Sequence, residues 1–291
     1  MAPAAGSNHP MHRYAVLDVF TDVPLEGNPV AVFDDGEALP SELMQRTARE
    51  LNLSETVFLL PAEGSGDARV RIFTPLAELP FAGHPILGTA FLLGERLGRE
   101  SVALETGAGV VEVRLSRDRA GSVVYGEMDQ PLPAVEAFEP VDALFAVLGV
   151  AGSQLPVEGY RNGPLHVYVA LADEPAVAAL RPDLGALARV AEGFGVSCFA
   201  GGGERFKTRV FAPALGVPED PATGSAAGPL ALHLARHERV PWSQEIEIRQ
   251  GVEIGRPSLL RARAEGGAAA VERVVVGGSA VFVAQGQYRL A

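Results

Sequence analysis

Residues 71–90 read RIFTPLAELPFAGHPILGTA, and residues 209–226 read RVFAPALGVPEDPATGSA. Both follow one pattern: a strand of Arg, an aliphatic residue and Phe, a proline-marked turn, then a Gly- and Pro-marked entry into an apolar run. Pro85 matches Pro221, Gly88 matches Gly224, Thr89 matches Ser225 and Ala90 matches Ala226, with a two-residue difference in spacing. A single long-range repeat of this kind is a duplication rather than a short-period solenoid. It predicts two similar halves meeting near Gln130-Pro131-Leu132-Pro133, in keeping with 291 residues at roughly 100–200 residues per domain.

Outward from the repeat, each apolar run reads as a buried helix, at about 85–97 and 222–236, because apolar residues cover most faces. Pro85 and Pro221 are expected in the first helical turns, and Pro229 is expected to weaken or bend the second helix. Short β-rich segments surround both runs: Tyr14–Phe20, Val30–Phe33, Thr56–Leu60, Val102–Leu104 and Val110–Leu115, then His166–Ala170, Ser197–Ala200, Glu245–Arg249, Leu259–Ala264 and Arg273–Val276. Weaker surface helices are expected at Ser41–Leu51, Val141–Leu148 and Leu184–Glu192. The expected class is α+β: two pseudo-symmetric domains, each a β-sheet wrapped around a central buried helix.

Composition narrows the chemistry. A net charge of −12, with the densest basic group only Arg114, Arg117 and Arg119, argues against a nucleic-acid surface. The single cysteine, Cys198, excludes an internal disulfide and any two-thiol mechanism, and the single lysine, Lys207, leaves little room for a Schiff-base cofactor. No apolar run is long enough to span a bilayer. Residues 1–12 lack the pattern of a signal peptide and read as a disordered leader, with Met11 as an alternative start; a cytoplasmic protein is expected.

The repeat also nominates a site. Two helix starts facing one interface would offer free amides and positive dipole ends to a small carboxylate. Gly83 and Gly224 would let backbone approach a ligand, or simply permit tight strand-to-helix packing. His84 and Asp220 hold equivalent positions of the two blocks and are candidates for acid–base work or substrate contact; each alone reads equally as a capping residue. Glu55, in SETVF, is a carboxylate among apolar neighbours and a candidate proton carrier, unless it is a turn residue facing solvent. His233 and His237 lack the HExxH order and read as a surface helix face, and His166 has no ligand-like neighbour in sequence, so no metal site is expected. Dinucleotide, phosphate-loop and nucleophile-elbow motifs are absent.

The same residues resemble the PhzF family, of the diaminopimelate-epimerase-like fold. The resemblance spans most of residues 11–291, through MHRYAVLDVFTDVPLEGNPVAVF (11–33), ARELNLSETVFLL (48–60), RIFTPLAELPFAGHPILGTA (71–90), NGPLHVYVAL (162–171), EDPATGSAAGPLALHLARH (219–237) and QGVEIGRPSL (250–259). It implies domains at 13–128 and 129–278, with a C-terminal strand at 279–291 completing the first, and an active site in the cleft between them. Glu55 falls on the family's catalytic glutamate, and His84, Asp220 and Ser225 on its polar set. Asn28, Gly83, Gly224 and Ser225 are implied substrate-binding positions. Racemases of this fold carry two cysteines where this chain has His84 and Asp220. The implied reaction is cofactor-free isomerisation of trans-2,3-dihydro-3-hydroxyanthranilate in phenazine biosynthesis, with Glu55 moving a proton from C3 to C1. The implied partners are a small aromatic amino-acid-like carboxylate and a second copy in a homodimer. Isomerisation of another small amino or hydroxy acid, or a non-catalytic binding protein on the same fold, are the alternatives.

Overall fold

The computed structural model describes residues 10–290. The expected leader therefore lies mostly outside the described residues, and the first strand already begins at Met11.

The pairing order of the strands repeats. In the first half, Met11–Val19 pairs antiparallel with Asn28–Phe33, which lies parallel to Glu55–Leu60. Ala68–Phe73 follows antiparallel, Ser101–Thr106 parallel to it, then Gly109–Arg117 and Val123–Asp129 antiparallel. In the second half Glu158–Arg161, Leu165–Ala170, Phe194–Gly202, Arg205–Ala212, Ile246–Gln250, Ser258–Gly267 and Ala270–Gly278 run through the same sequence of orientations. Ala134–Ala137 pairs antiparallel with Glu158–Arg161, and Ala280–Arg289 pairs with Met11–Val19 in the same way. The two sheets join where Val123–Asp129 meets Ala270–Gly278. Parallel steps need a crossover, and the central helices supply two of them.

Those helices are Gly83–Leu97 and Gly224–Arg236. Eleven of the fifteen residues of the first and twelve of the thirteen of the second are buried, and both share one continuous apolar core with the inward faces of the strands. Burial at roughly 25 cal/mol per Å² of apolar surface makes this core the main favourable term of folding. Smaller cores lie under the outer helices: Leu144, Val167, Cys198 and Phe211 on one side, Phe33, Met44, Phe58 and Phe73 on the other.

The repeated arginine has the same task in both halves. Arg71 grips Glu78 with Nε and Nη2 at 2.7 and 2.6 Å, over the Phe73 ring. Arg209 grips Glu219 at 2.8 and 2.7 Å, over Phe211. A planar fork matched to a carboxylate and stacked on an aromatic face ties each strand to the turn that leads into its helix.

Several expectations need correction. The helices begin at Gly83 and Gly224, so Pro85 lies within the first turn but Pro221 lies outside its helix. Pro229 does not break the second helix. The carbonyl that its missing N–H would have bonded is that of Ser225, and Asn162 Nδ2 donates to it instead at 3.0 Å. Strands at Val123–Asp129, Ala134–Ala137, Glu158–Arg161 and Val217–Asp220, and a helix at Glu174–Ala179, were not expected. The last is capped by Asp173, whose carboxylate accepts from the Ala176 amide.

Candidate active site

The two central helices start against each other. A Cβ placed on Gly83 would lie 2.7 Å from the Gly224 carbonyl carbon and the Ser225 nitrogen. One on Gly224 would lie 3.1 Å from Gly83. Only glycine allows both backbones this close. The first-turn amides of both helices have no acceptor four residues back, so two donor-rich, positive ends converge.

Around this junction the structure gathers Asn28, Glu55, His84 and Asp220. Glu55 opens strand Glu55–Leu60, in register with Val30 of the neighbouring parallel strand. Its side chain is only 13% exposed, and Oε2 has no hydrogen-bond partner. That oxygen lies 3.3 Å from His84 Nδ1. Burial, and then the charge of Asp220, hold the Glu55 carboxyl well above the ordinary range. Burial drives the His84 imidazole down to about 3, so this ring is neutral at physiological pH.

Asp220 ends strand Val217–Asp220, and its carboxylate accepts three side-chain hydrogen bonds. Its Oδ1 accepts from Asn28 Nδ2 at 2.8 Å and from Ser54 Oγ at 3.1 Å; its Oδ2 accepts from Thr223 Oγ1 at 2.6 Å. Burial raises its carboxyl to about 6, against the pull of those donors. Asn28 is fully buried and also donates to the Ala222 carbonyl at 2.9 Å, so one amide from the first half holds two acceptors of the second. Gln250 braces this loop from behind, donating to the Asp220 carbonyl at 2.8 Å and to Thr223 Oγ1 at 2.9 Å.

A narrow cavity, with about 40 Å³ open to the centre of a water-sized sphere, lies in front of these residues. Leu79, Val210, Leu215 and Val217 give it apolar walls, and Glu55, His166, Asp220, Thr223 and Ser225 supply polar groups. Glu55 and Asp220 thus face the cavity, whereas His84 and Asn28 stand one layer behind. Gly83 and Gly224 form the contact between helix starts rather than the wall, which Ala82, Thr223 and Ser225 provide.

Sequence reasoning passed over four residues of the site. Ser54 and Thr223 bond Asp220, Gln250 braces it, and His166 Nε2 lies 2.9 Å from Ser225 Oγ. All four fall inside stretches already singled out, but a hydroxyl or amide gains its meaning from a partner distant in sequence. His233 and His237 are not a surface face. His233 is fully buried, and both rings converge with Tyr160 and Arg236 on Glu158 Oε2, at 3.3, 3.0, 2.8 and 2.9 Å respectively. The three groups Glu158, His233 and His237 are near enough to share a cation, but Arg236 already supplies that carboxylate with one. Lys207 ion-pairs with Glu253 at 2.7 Å, and Cys198 is buried in the outer core, where burial pushes its thiol to about 12.

Two carboxylates, one buried and one largely so, thus stand on a cavity wall where two helix starts meet, in a repeated α+β fold. The particular family follows from comparison: residues 17–286 match the family model described as phenazine biosynthesis-like protein (PhzC-PhzF), and the chain belongs to that family. It is 53% identical over 277 residues to a Pseudomonas aeruginosa protein named trans-2,3-dihydro-3-hydroxyanthranilate isomerase, covering 95% of this chain and 99% of the relative. A Pseudomonas fluorescens protein of the same name is 51% identical over 276 residues, with 95% and 99% covered. Among solved structures, a Bacillus anthracis phenazine biosynthesis protein of the PhzF family superposes with a TM-score of 0.82 at 25% identity, over 96% of this chain and 99% of that one. A hydroxyproline epimerase from Agrobacterium vitis shares the fold at a TM-score of 0.63 and 16% identity, with 95% and 92% covered.

Proposed function

We propose that this protein isomerises trans-2,3-dihydro-3-hydroxyanthranilate, with Glu55 carrying the proton between two carbons of one ring face. The observation that carries the reading is Glu55 itself: a buried carboxylate on the cavity wall with one oxygen unpartnered. The identity to relatives bearing that activity supports the substrate.

In the proposed step ionised Glu55 takes the C3 proton. The C3–H electron pair moves into the ring, the double bonds shift, and C1 gains the proton from the carboxylic acid just formed. Glu55 ends as it began. The resulting enol tautomerises to an aminoketone, two of which condense toward the phenazine skeleton. A pKa raised by burial moves Glu55 toward the working pH, where it both accepts and returns a proton efficiently. Neutral His84, behind it, can accept a hydrogen bond from its protonated form. Asp220 and Asn28 orient the substrate's polar groups directly or through Thr223. Ser225 and the helix-start amides bind its carboxylate. The chain carries no second thiol, so two-cysteine stereoinversion is outside its chemistry.

The reading divides the chain into residues 13–128 with the strand at 279–291, and residues 129–278, with the substrate held between them. It carries with it a cytoplasmic homodimer, which light scattering would check. Among the described residues no helix is long and apolar enough to cross a membrane.

Incubation with the dihydro-hydroxyanthranilate, followed by ultraviolet absorbance and product mass, tests the activity. Turnover is expected from the unaltered protein, and Glu55→Gln is expected to lose about 10³-fold while staying folded, the usual worth of a positioned acid–base group. Near-normal turnover by that variant overturns the mechanism.

A further inference from the structure

His166 has no assigned role, yet it is the one histidine that lines the cavity. It lies on strand Leu165–Ala170, beside Gly195 of the parallel neighbour. Its Nε2 lies 2.9 Å from Ser225 Oγ. Its Nδ1 is buried and has no hydrogen-bond partner. A Cβ on Gly195 would sit 2.8 Å from that nitrogen, so this edge of the ring is pressed against backbone. Burial pushes the imidazole down to about 4, leaving a neutral ring with one proton and two places for it.

The two tautomers have opposite consequences for Ser225. With the proton on Nδ1, an N–H is buried against Gly195 with nothing to accept it. Nε2 must then accept the Ser225 hydroxyl, and the serine presents only lone pairs to the cavity. With the proton on Nε2, the ring donates to Ser225 Oγ and the buried Nδ1 is bare. An under-satisfied acceptor is the milder of the two defects. The Ser225 O–H then has no other partner among the described residues and is free to donate.

We propose that His166 is a positioning residue that, in its Nε2–H form, holds Ser225 as a hydrogen-bond donor toward the carboxylate of the ligand. The proposal rests on the reading that this cavity takes a small carboxylate. It predicts an effect on binding more than on proton transfer, because His166 acts through Ser225 and has no contact with Glu55.

Three readouts test it. In protein carrying ¹⁵N-histidine, NMR of the imidazole signals absent from His166→Gln should show Nε2 protonated and Nδ1 bare; the opposite tautomer overturns the proposal. Calorimetry with 3-hydroxyanthranilate, which needs no turnover, should show His166→Phe weakened about tenfold or more, with His166→Gln restoring most of the affinity through its side-chain N–H. In kinetics, His166→Phe should raise KM by a similar factor and leave kcat within about threefold, and Ser225→Ala should add little to it. Unchanged affinity in folded His166→Phe, or additive losses in the double variant, overturn the proposal. Binding of 3-hydroxyanthranilate that His166→Phe weakens, without turnover of the dihydro substrate, sinks the isomerase reading while supporting the His166–Ser225 pair. Failure of the unaltered protein to bind the carboxylate sinks both.

Discussion

Two carboxylates set the electrostatics of the site, and the charge of one acts on the other. Asp220 is the charge that, after burial, raises Glu55. Replacing it by a neutral isostere should therefore lower the Glu55 pKa. The acid limb of kcat/KM reports the ionisation of Glu55 in the free protein. For Asp220→Asn that limb should move to lower pH, whatever happens to the maximum rate. A limb that stays or rises would separate the two groups. Glu55 also carries a stability cost with a definite sign. Its folded pKa lies above its unfolded value, so the stabilisation it allows is complete at low pH and is lost as pH rises through the folded pKa. Glu55→Gln should melt higher than the unaltered protein at pH 8, and the gap should shrink toward pH 5. Thermal unfolding at the two pH values reads this directly. An active site that is destabilising in this way is the ordinary exchange of stability for function.

At the scale of elements, the strand–turn–helix unit is built twice with the same parts but in different surroundings. The Arg71–Glu78 pair is partly open, with the arginine 24% exposed, while the Arg209–Glu219 pair is 6% and 11% exposed. Arg209 also donates to the Leu180 carbonyl at 2.7 Å. Removing one partner of a buried pair leaves an uncompensated charge, whereas an exposed pair is worth little. Arg209→Ala should cost about 3 kcal/mol of unfolding free energy, and Arg71→Ala about 1 kcal/mol or less, as read by urea denaturation. Equal losses would mean that the two units are not distinguished by burial. The second helix shows the same dependence on context. Pro229 would be a breaker in an isolated peptide, but here Asn162 replaces the hydrogen bond that proline cannot make. Helix propensity is a weak prior where a neighbouring side chain satisfies the backbone.

Across the whole molecule, the first and last strands close the fold. Ala280–Arg289 pairs with Met11–Val19 along nearly its full length, with one irregularity between Val16 and Leu17. Arg256 adds a second long-range tie, donating to buried Asp18 at 2.6 Å and to the carbonyls of Gly27 and Glu26. Deleting residues 280–291 would leave Met11–Val19 as an unpaired edge above a large core, a template for aggregation. The truncated chain should be largely insoluble or melt far below the full chain. Recovery of a soluble, active truncation would show that the closing strand is dispensable.

The amino-acid sequence alone determined the duplicated strand–turn–helix unit, the α+β class, the two central helices and the absence of a second thiol. These depend on local pattern and on counting: RIFTP against RVFAP, an apolar run after each, one cysteine. The same pattern singled out Glu55, His84 and Asp220, because a carboxylate or imidazole in an apolar or repeated setting stands out in one dimension. Tertiary structure alone decided which of them face the cavity, where each helix starts, and which neutral groups complete the site. Ser54, Thr223, Gln250 and His166 carry no charge pattern, and His233 lost its expected exposure once Glu158 and Tyr160 packed over it. A hydrogen bond is short and directional, so its partners are known only when the chain has brought distant residues within about 3 Å.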